Sequence, residues 1–312
     1  MTTYRPHPPH QAHVHSASEL MAAGRSLLLY YQRLVSPLVR RHNSSISSEA
    51  AGLKVSLVDP FNAVRVRLAE TAHWTIEEFK EKMSFHIDQW ISEKRSAVWL
   101  HVPLVHCSLL NVAVLDCRFN IHHSLSNEIV LSRWLRQDTV NKIPPFASHQ
   151  VGVCGVVYRE DTSEILVTQD KYKPARWKFP GGISEFAEDI TDTAEREVLE
   201  ETGIMAKTQS IIAFRQHHHL SIAFGQSDLY FICRMKPFTY TIRPCTSEIL
   251  KCQWMGIREL QASPLATILT NRIAVMMLRG AKNGFRELDI KWEDLPSPAD
   301  SNQTYRLFGK RT

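Results

Sequence analysis

Residues 182–204 read GISEFAEDITDTAEREVLEETGI and hold eight carboxylates against a single base. The acids are Glu185, Glu188, Asp189, Asp192, Glu195, Glu197, Glu200 and Glu201, and the base is Arg196. An even spread of the chain's 32 acids would place only about two or three in such a window. The segment reads as a helix, with Asp189 as its N-cap and Gly203 as the left-handed residue that ends it. Ile190, Ala194 and Val198 recur every four residues, an apolar stripe suited to packing on a sheet. Glu197, Glu200 and Glu201 are related by i, i+3 and i+4, so their carboxylates share one face and repel each other. A hard divalent cation resolves that conflict, because Mg²⁺ takes oxygen ligands and is typically held by carboxylates together with substrate phosphates. The alternative is a solvated acidic face without a ligand. Gly181 and Gly182, in KFPGG just before the segment, argue against it, since they suit a tight loop with free backbone groups.

The spacing of these residues is that of the Nudix box: glycine, five residues, glutamate, seven residues, then R-E-apolar-x-E-E-x-G-apolar. Gly182, Glu188, Arg196, Glu197, Val198, Glu200, Glu201, Gly203 and Ile204 fill every position. The chain thus resembles the Nudix hydrolases, and Trp177-Lys178-Phe179-Pro180, the run SDLYFICR and Glu248 six residues before Trp254 extend the likeness. The resemblance implies an α/β/α sandwich with a mixed sheet and the box as loop–helix–loop. It implies Mg²⁺- or Mn²⁺-dependent hydrolysis of a nucleoside diphosphate linked to another moiety. It also implies Glu197, Glu200 and Glu201 as metal ligands, joined by the Gly181 carbonyl. Arg196 is expected to orient one of those glutamates through a bidentate pair, and Glu188 to serve structurally. It implies Glu197 and Glu200, with Arg196, as the catalytic set, one glutamate taking the proton of the attacking water; Glu248, in a loop before the strand KCQWM, is a further base or ligand, or else a surface acid. A homodimer is the assembly the family suggests.

Substrate identity lies outside the box, and no subfamily signature is satisfied. VTQDKYKPARWKFPGG does not match the extended CoA-type motif, and the array expected of NADH-type enzymes is missing from MAKTQSIIAFRQHHH. Leu220, Ser221 and Ile222 stand where a Pro or Tyr marks the ADP-ribose and dinucleoside-polyphosphate types. An ADP-ribose-like or dinucleotide-like compound is the expected class. Lys171, Lys173, Arg176 and Lys178 cluster before the box, where they meet a terminal phosphate or line a solvated loop. Lys178, Trp177 and His217 are the substrate-binding candidates: Trp177 stacks on a base or is a core aromatic, and Gln216–His219 end a strand near the cleft.

These residues need a sheet to hold them. HQVGVCGVVY and EILVTQD read as strands, and QDTVNKIPPFASH, with two prolines, reads as a junction before them. Upstream, LKVSLVD and AVRVRL alternate as strands do. Thr75 and Glu78 form a capping box, after which Ile76, Phe79, Met83, Ile87, Trp90 and Ile91 recur at helical spacing. AVWLHVP, RFNIHH and EIVLSRWL read as further strands, with an apolar, helical segment reaching about residue 116. The expected divisions are 1–50, 51–143 for a smaller α/β domain, 144–290 for the Nudix domain and 291–312 for a tail. The family resemblance implies an acetyltransferase-like fold for the smaller domain. Residues 1–150 contain only Gly24 and Gly52, so they lack the glycine loop that grips a CoA pyrophosphate. A docking, dimerisation or substrate-shaping module is the expectation there.

The chain has 312 residues, 44% hydrophobic and 22% charged, the balance of a globular protein with two cores. No apolar run reaches the length of a spanning helix, so no membrane partner is expected. A net charge of +5 does not make nucleic acid the default partner; RNA decapping stays an alternative, as does a binding or regulatory protein on a Nudix scaffold. The six cysteines show no CxxC pairing and read as buried, reduced thiols. Residues 1–50 carry five arginines, no lysine and only Glu19 and Glu49 as acids, the composition of a mitochondrial transit segment or of a disordered tail that lacks acids. Without that role, the cytoplasm and nucleus are the expected compartments. His7, His10, His13 and His15 lie too loosely spaced among prolines to suggest a metal site.

Overall fold

The computed structural model describes residues 49–50, 53–172, 176–219, 223–298 and 302–310. The proposed targeting segment and its four histidines, Lys173, and Leu220–Ile222 lie outside the described residues. The chain divides into two compact units, residues 1–144 with 297–302, and residues 145–296 with 303–312.

In the first unit β1 (Glu49–Ala50), β2 (Leu53–Val58), β3 (Val64–Leu68), β4 (Ala97–Pro103), β5 (Asn120–Ser124) and β6 (Glu128–Trp134) form one sheet in the order β1-β2-β3-β4-β6-β5. Only β3 and β4 run parallel, as the helix between them requires. That helix, α1 (Ile76–Ser92), starts on the expected capping box: the Glu78 amide donates to Thr75 Oγ1 at 3.1 Å, and the Thr75 amide to Glu78 Oε2 at 3.0 Å. Phe79, Met83, Ile87 and Trp90 bury against Val64, Val66, Val98 and Leu100. Each large side chain so buried contributes about 1.5–3 kcal/mol. Ile76 and Ile91, expected in the same stripe, are exposed because they fall at its edges. The apolar segment after β4 is a 3₁₀ turn, Leu104–Leu109, followed by the short α2 (Leu110–Leu115).

In the second unit β7 (His149–Arg159), β8 (Glu164–Asp170), β9 (Gly181–Ile183), β10 (Ala206–His217), β11 (Ser227–Pro237) and β12 (Ile249–Gly256) form a mixed sheet. Its order is β10-β11-β7-β8-β12; β7 runs parallel to β11, and β9 pairs with β7. The alternation of β7 builds two cores. Val153 and Val157 face α3 (Ile190–Thr202) through Ala194 and Val198. Cys154, Val156 and Tyr158 face the other side, where α4 (Ile257–Ala262) and α5 (Ile268–Asn283) supply Leu260, Ile273 and Met277. Helices on both faces of a mixed sheet make the expected sandwich. Gly155 lets α3 come close, since a Cβ there would stand 2.4 Å from Val198 Cγ2.

Residues 291–312, expected to be a tail, instead contain a hairpin of β13 (Lys291–Pro296) and β14 (Thr304–Gly309). Trp292, Leu295, Tyr305 and Phe308 give this stretch enough apolar surface to fold back on the domain. All six cysteines are free, but Cys107 is exposed and only Cys117, Cys154 and Cys233 are buried. No helix among the described residues is long and apolar enough to cross a membrane.

Candidate active site

β9 carries the two glycines into contact with β7, pairing Gly181 with Cys154 and Gly182 with Val153. A Cβ on Gly181 would lie 2.2 Å from the Val153 carbonyl, and one on Gly182 only 2.4 Å from Glu197 Oε1. Backbone atoms therefore require glycine at Gly181 by close approach, whereas at Gly182 the neighbour is the movable end of the Glu197 side chain. α3 then runs to Gly203, which is left-handed at φ 71 and donates to the Leu199 carbonyl. Asp189 occupies the N-cap position but makes no side-chain capping bond; its carboxylate lies 3.4 Å from Arg306 instead. Beyond Gly203, the amides of Arg243 and Cys245 take the carbonyls of Thr202 and Glu201 at 2.8 and 3.0 Å. These bonds hold the loop that carries Glu248 against the end of the helix.

The carboxylates of the box divide into two kinds. Glu188 accepts a bidentate pair from Arg196, Nε at 2.8 Å and Nη2 at 2.9 Å, together with Thr193 Oγ1 and the Glu185 amide. These donors, Arg196 first, bring its pKa down to about 2. The bidentate partner of Arg196 is thus Glu188 and not one of the expected metal ligands, a correction with a geometric cause. The guanidinium fork meets the loop carboxylate squarely, which leaves only Nη1 for Glu197 at 2.9 Å and Glu200 at 3.2 Å.

Glu197 and Glu201 are the other kind. Burial raises the pKa of Glu197, Arg196 opposes that, and the nearby charges of Glu200 and Glu248 raise it further. Glu201 is 6% exposed, and its pKa is pushed up to about 7, chiefly by burial. It has the Gly181 amide at 3.2 Å and Lys178 Nζ at 3.6 Å. Burial works to lower the pKa of Lys178, but Glu201 and Asp170, the latter 2.7 Å away, outweigh it and leave a net rise. Lys178 is therefore an internal counter-charge to Glu201. Asp170, at the end of β8, is not singled out by the sequence; an acid closing the apolar strand EILVTQD is its only signal.

The remaining candidates scatter. Trp177 is 7% exposed, its backbone tied to Leu265 and Thr270 and its ring packed in the core with Phe179 and Ile273. That position rules out stacking on a base and makes Trp177 part of the wall. His217, at the end of β10, is exposed and lies 3.4 Å from Arg215. Lys171 and Arg176 are exposed and reach the carbonyls of Thr246 and Pro264. Glu248 is exposed and near enough to Glu197 to raise its pKa.

Among the described residues, no three His, Cys, Asp or Glu side chains stand close enough together, as they are, to hold a metal ion. Gly181, Glu197, Glu200 and Glu201 are neighbours and not a closed cage, because Arg196 holds two of the carboxylates. The donor set nevertheless suits a hard divalent cation in kind. It is all oxygen, and beyond burial neighbouring carboxylates raise both pKa values, Glu200 and Glu248 that of Glu197, and Asp170 and Glu197 that of Glu201.

A helix of under-compensated carboxylates, laid on a mixed sheet beneath a paired-glycine strand, defines a class of protein. A family model for the NUDIX domain matches residues 148–275, and one for a Nudix hydrolase domain matches residues 56–135. The chain belongs to the Nudix family. It is 41% identical over 257 residues to human nucleoside diphosphate-linked moiety X motif 6, covering 81% of this chain and 80% of that one. It is 33% identical over 217 residues to Nudix hydrolase 7 of Arabidopsis thaliana, covering 68% and 71%. A solved MutT NUDIX hydrolase from Burkholderia pseudomallei superposes with a TM-score of 0.35 at 24% identity, covering 42% of this chain and 98% of that one. Nudix hydrolases use divalent metal ions and act on nucleotide-derived small molecules.

Proposed function

We propose that this chain hydrolyses the pyrophosphate bond of a nucleoside diphosphate linked to another moiety, an ADP-ribose-like or dinucleotide-like compound. The single observation that carries the reading is the charge imbalance around Glu201, a buried carboxylate inside a complete box whose nearby cation, Lys178 at 3.6 Å, is already paired with Asp170 at 2.7 Å. Glu197, Glu200, Glu201 and the Gly181 carbonyl would hold Mg²⁺ or Mn²⁺. When bound, such a cation concentrates positive charge at the pyrophosphate and makes water acidic enough to attack near neutral pH.

The chain's own residues do the rest. Glu200 has a side chain 60% exposed at the open end of the cluster and accepts the proton of the attacking water. Arg196, anchored on Glu188, bridges Glu197 and Glu200 through Nη1 and so sets how both carboxylates are turned. Lys178 and Asp170 steady Glu201 from behind, and Glu248 adds negative charge beside Glu197. The test is hydrolysis followed by ³¹P NMR with Mg²⁺ or Mn²⁺ over ADP-ribose, NADH, dinucleoside polyphosphates, CoA and capped RNA, with Glu200→Gln as control. Turnover lost in the variant supports the reading and names the substrate class. Folded protein that binds Mn²⁺ and turns over nothing would replace it with a binding or regulatory role.

A further inference from the structure

We propose that the C-terminal hairpin is a clamp on the box helix, and that Arg306 is a positioning residue for the site. This inference rests on the hydrolase reading above. Arg306, on β14, distributes its donors over three places: Nε to Asp294 Oδ1 on β13 at 2.9 Å, Nη1 to Thr191 Oγ1 at 2.8 Å, and Nη1 to the Asp189 carboxylate at 3.4 Å. Its guanidinium lies over the Trp292 ring, 5.6 Å from the centroid. Thr191 is buried in the first turn of α3, so the guanidinium fixes where that helix begins.

The arrangement is not what helix stability alone would select. A cation at a helix N-terminus opposes the macrodipole. The N-cap aspartate, moreover, makes no bond to its own helix amides and faces Arg306. The hairpin is in turn bolted to the domain. Asp289 takes both Nε and Nη2 of Arg234 at 2.9 and 2.6 Å, and Ile290 pairs with Ile211 of β10. Lys291 Nζ reaches the Gln209 carbonyl at 2.7 Å, and Phe308 packs on the core that holds Ala194 and Val198.

The other end of α3 is fixed independently, by Gly203 and the Arg243 and Cys245 amides. Loss of the clamp would let the helix pivot about that end. With about 1.5 Å of rise per residue, a tilt of about 5° displaces Glu197 by roughly 0.8 Å. Misplacement on the order of 1 Å costs up to ~10²-fold where geometry sets the rate.

The experiment uses the full chain with Arg306→Ala, Arg306→Lys and, as a control on an exposed ion pair elsewhere, Arg279→Ala. Mn²⁺ affinity is read by EPR titration, turnover on the substrate found above, and amide exchange over residues 190–197. Arg306→Ala is expected to weaken Mn²⁺ binding about tenfold and lower kcat about tenfold, with KM within about twofold and faster exchange in the first two turns. Arg306→Lys should recover part of each loss, and Arg279→Ala should match wild type. Wild-type Mn²⁺ affinity and turnover in a folded Arg306→Ala protein, or a change in melting temperature alone, would overturn the proposal. Should that variant not fold, Asp294→Asn, which removes only the Nε partner, is expected to lose about threefold in the same readouts. If wild type binds no Mn²⁺, the hydrolase reading fails first. Exchange over 190–197 then decides the clamp separately, with faster exchange in Arg306→Ala keeping it and equal exchange ending it.

Discussion

Among the described residues each unit buries one glutamate, and the two are treated oppositely. Glu128, at the start of β6 in the first unit, is 3% exposed and faces Arg67 and His101 across the sheet. Arg67 Nη2 donates to Oε1 at 3.1 Å and Nη1 stands 2.8 Å from Oε2, a charge pairing without an aligned hydrogen bond, while His101 Nδ1 lies 3.0 Å from Oε1. Glu201, in the second unit, is equally buried and has one amide and one ammonium at 3.6 Å that Asp170 already claims at 2.7 Å. A carboxylate kept for the fold meets an arginine of its own, with a histidine nitrogen beside it. One left short of counter-charge inside a cluster of other acids holds capacity for a further cation.

Removing each charge should therefore have opposite consequences. Glu201→Gln is expected to lower kcat/KM on the order of 10²–10³-fold, the scale of losing one preorganised electrostatic group, and to leave the melting temperature unchanged or higher. Glu128→Gln should leave a half-exposed Arg67 without its counter-charge and destabilise the first unit by about 1–2 kcal/mol, with normal turnover per folded molecule. Urea titrations and turnover on both variants check this. A destabilised Glu201→Gln with full activity would erase the distinction.

The pH dependence sharpens the same contrast within one helix–loop. Glu201 has a folded pKa of about 7, above its ordinary 4.5, so the folded state holds its proton longer than the unfolded chain does. Its contribution to stability in metal-free protein therefore declines as pH rises from about 4.5 to 7, by at most ~3 kcal/mol. Glu188 is the reverse, at about 2 in the folded state. The stability it supplies is complete above about 4.5 and is lost as pH falls towards 2. Subtracting the unfolding curve of Glu201→Gln from wild type should isolate the first limb, and that of Glu188→Gln the second. Added Mn²⁺ should flatten the Glu201 limb alone. Two limbs of the same sign would contradict the assignment of either group.

The box was legible because its spacing is chemical: i, i+3 and i+4 glutamates with one arginine have few purposes. The strands were legible for a similar reason, since VRVRL and AVWLHVP alternate or run apolar as buried strands do. The partner of Arg196 was not, because a guanidinium with Glu188, Glu197 and Glu200 all in reach is allotted by loop geometry, and only the fold of residues 184–189 turns Glu188 into its fork. Trp177 could not be assigned from sequence either. An aromatic beside a glycine loop suits a wall or a stacking platform equally, and the bonds to Leu265 and Thr270 come from 88 and 93 residues away. The hairpin was hidden by its sequence distance from β10 and the helix it meets.

The smallest expected effect tests how finely the under-compensated carboxylates are held. Gly182 has no side chain because the Glu197 carboxylate occupies that space, with Oε1, Cδ and Oε2 all within 2.7 Å of where a Cβ would be. Gly182→Ala therefore acts on a side-chain end that is free to move, and the fold should tolerate it within about 1 kcal/mol. Glu197 would shift away from β9 and toward Arg196, tightening the ion pair that competes with cation binding. Turnover should fall about tenfold, equivalent to about 1.4 kcal/mol, with most of the loss recovered at high Mn²⁺. A loss that Mn²⁺ does not relieve would mean that the glycine serves the strand pairing of β9 with β7, and that Glu197 tolerates displacement.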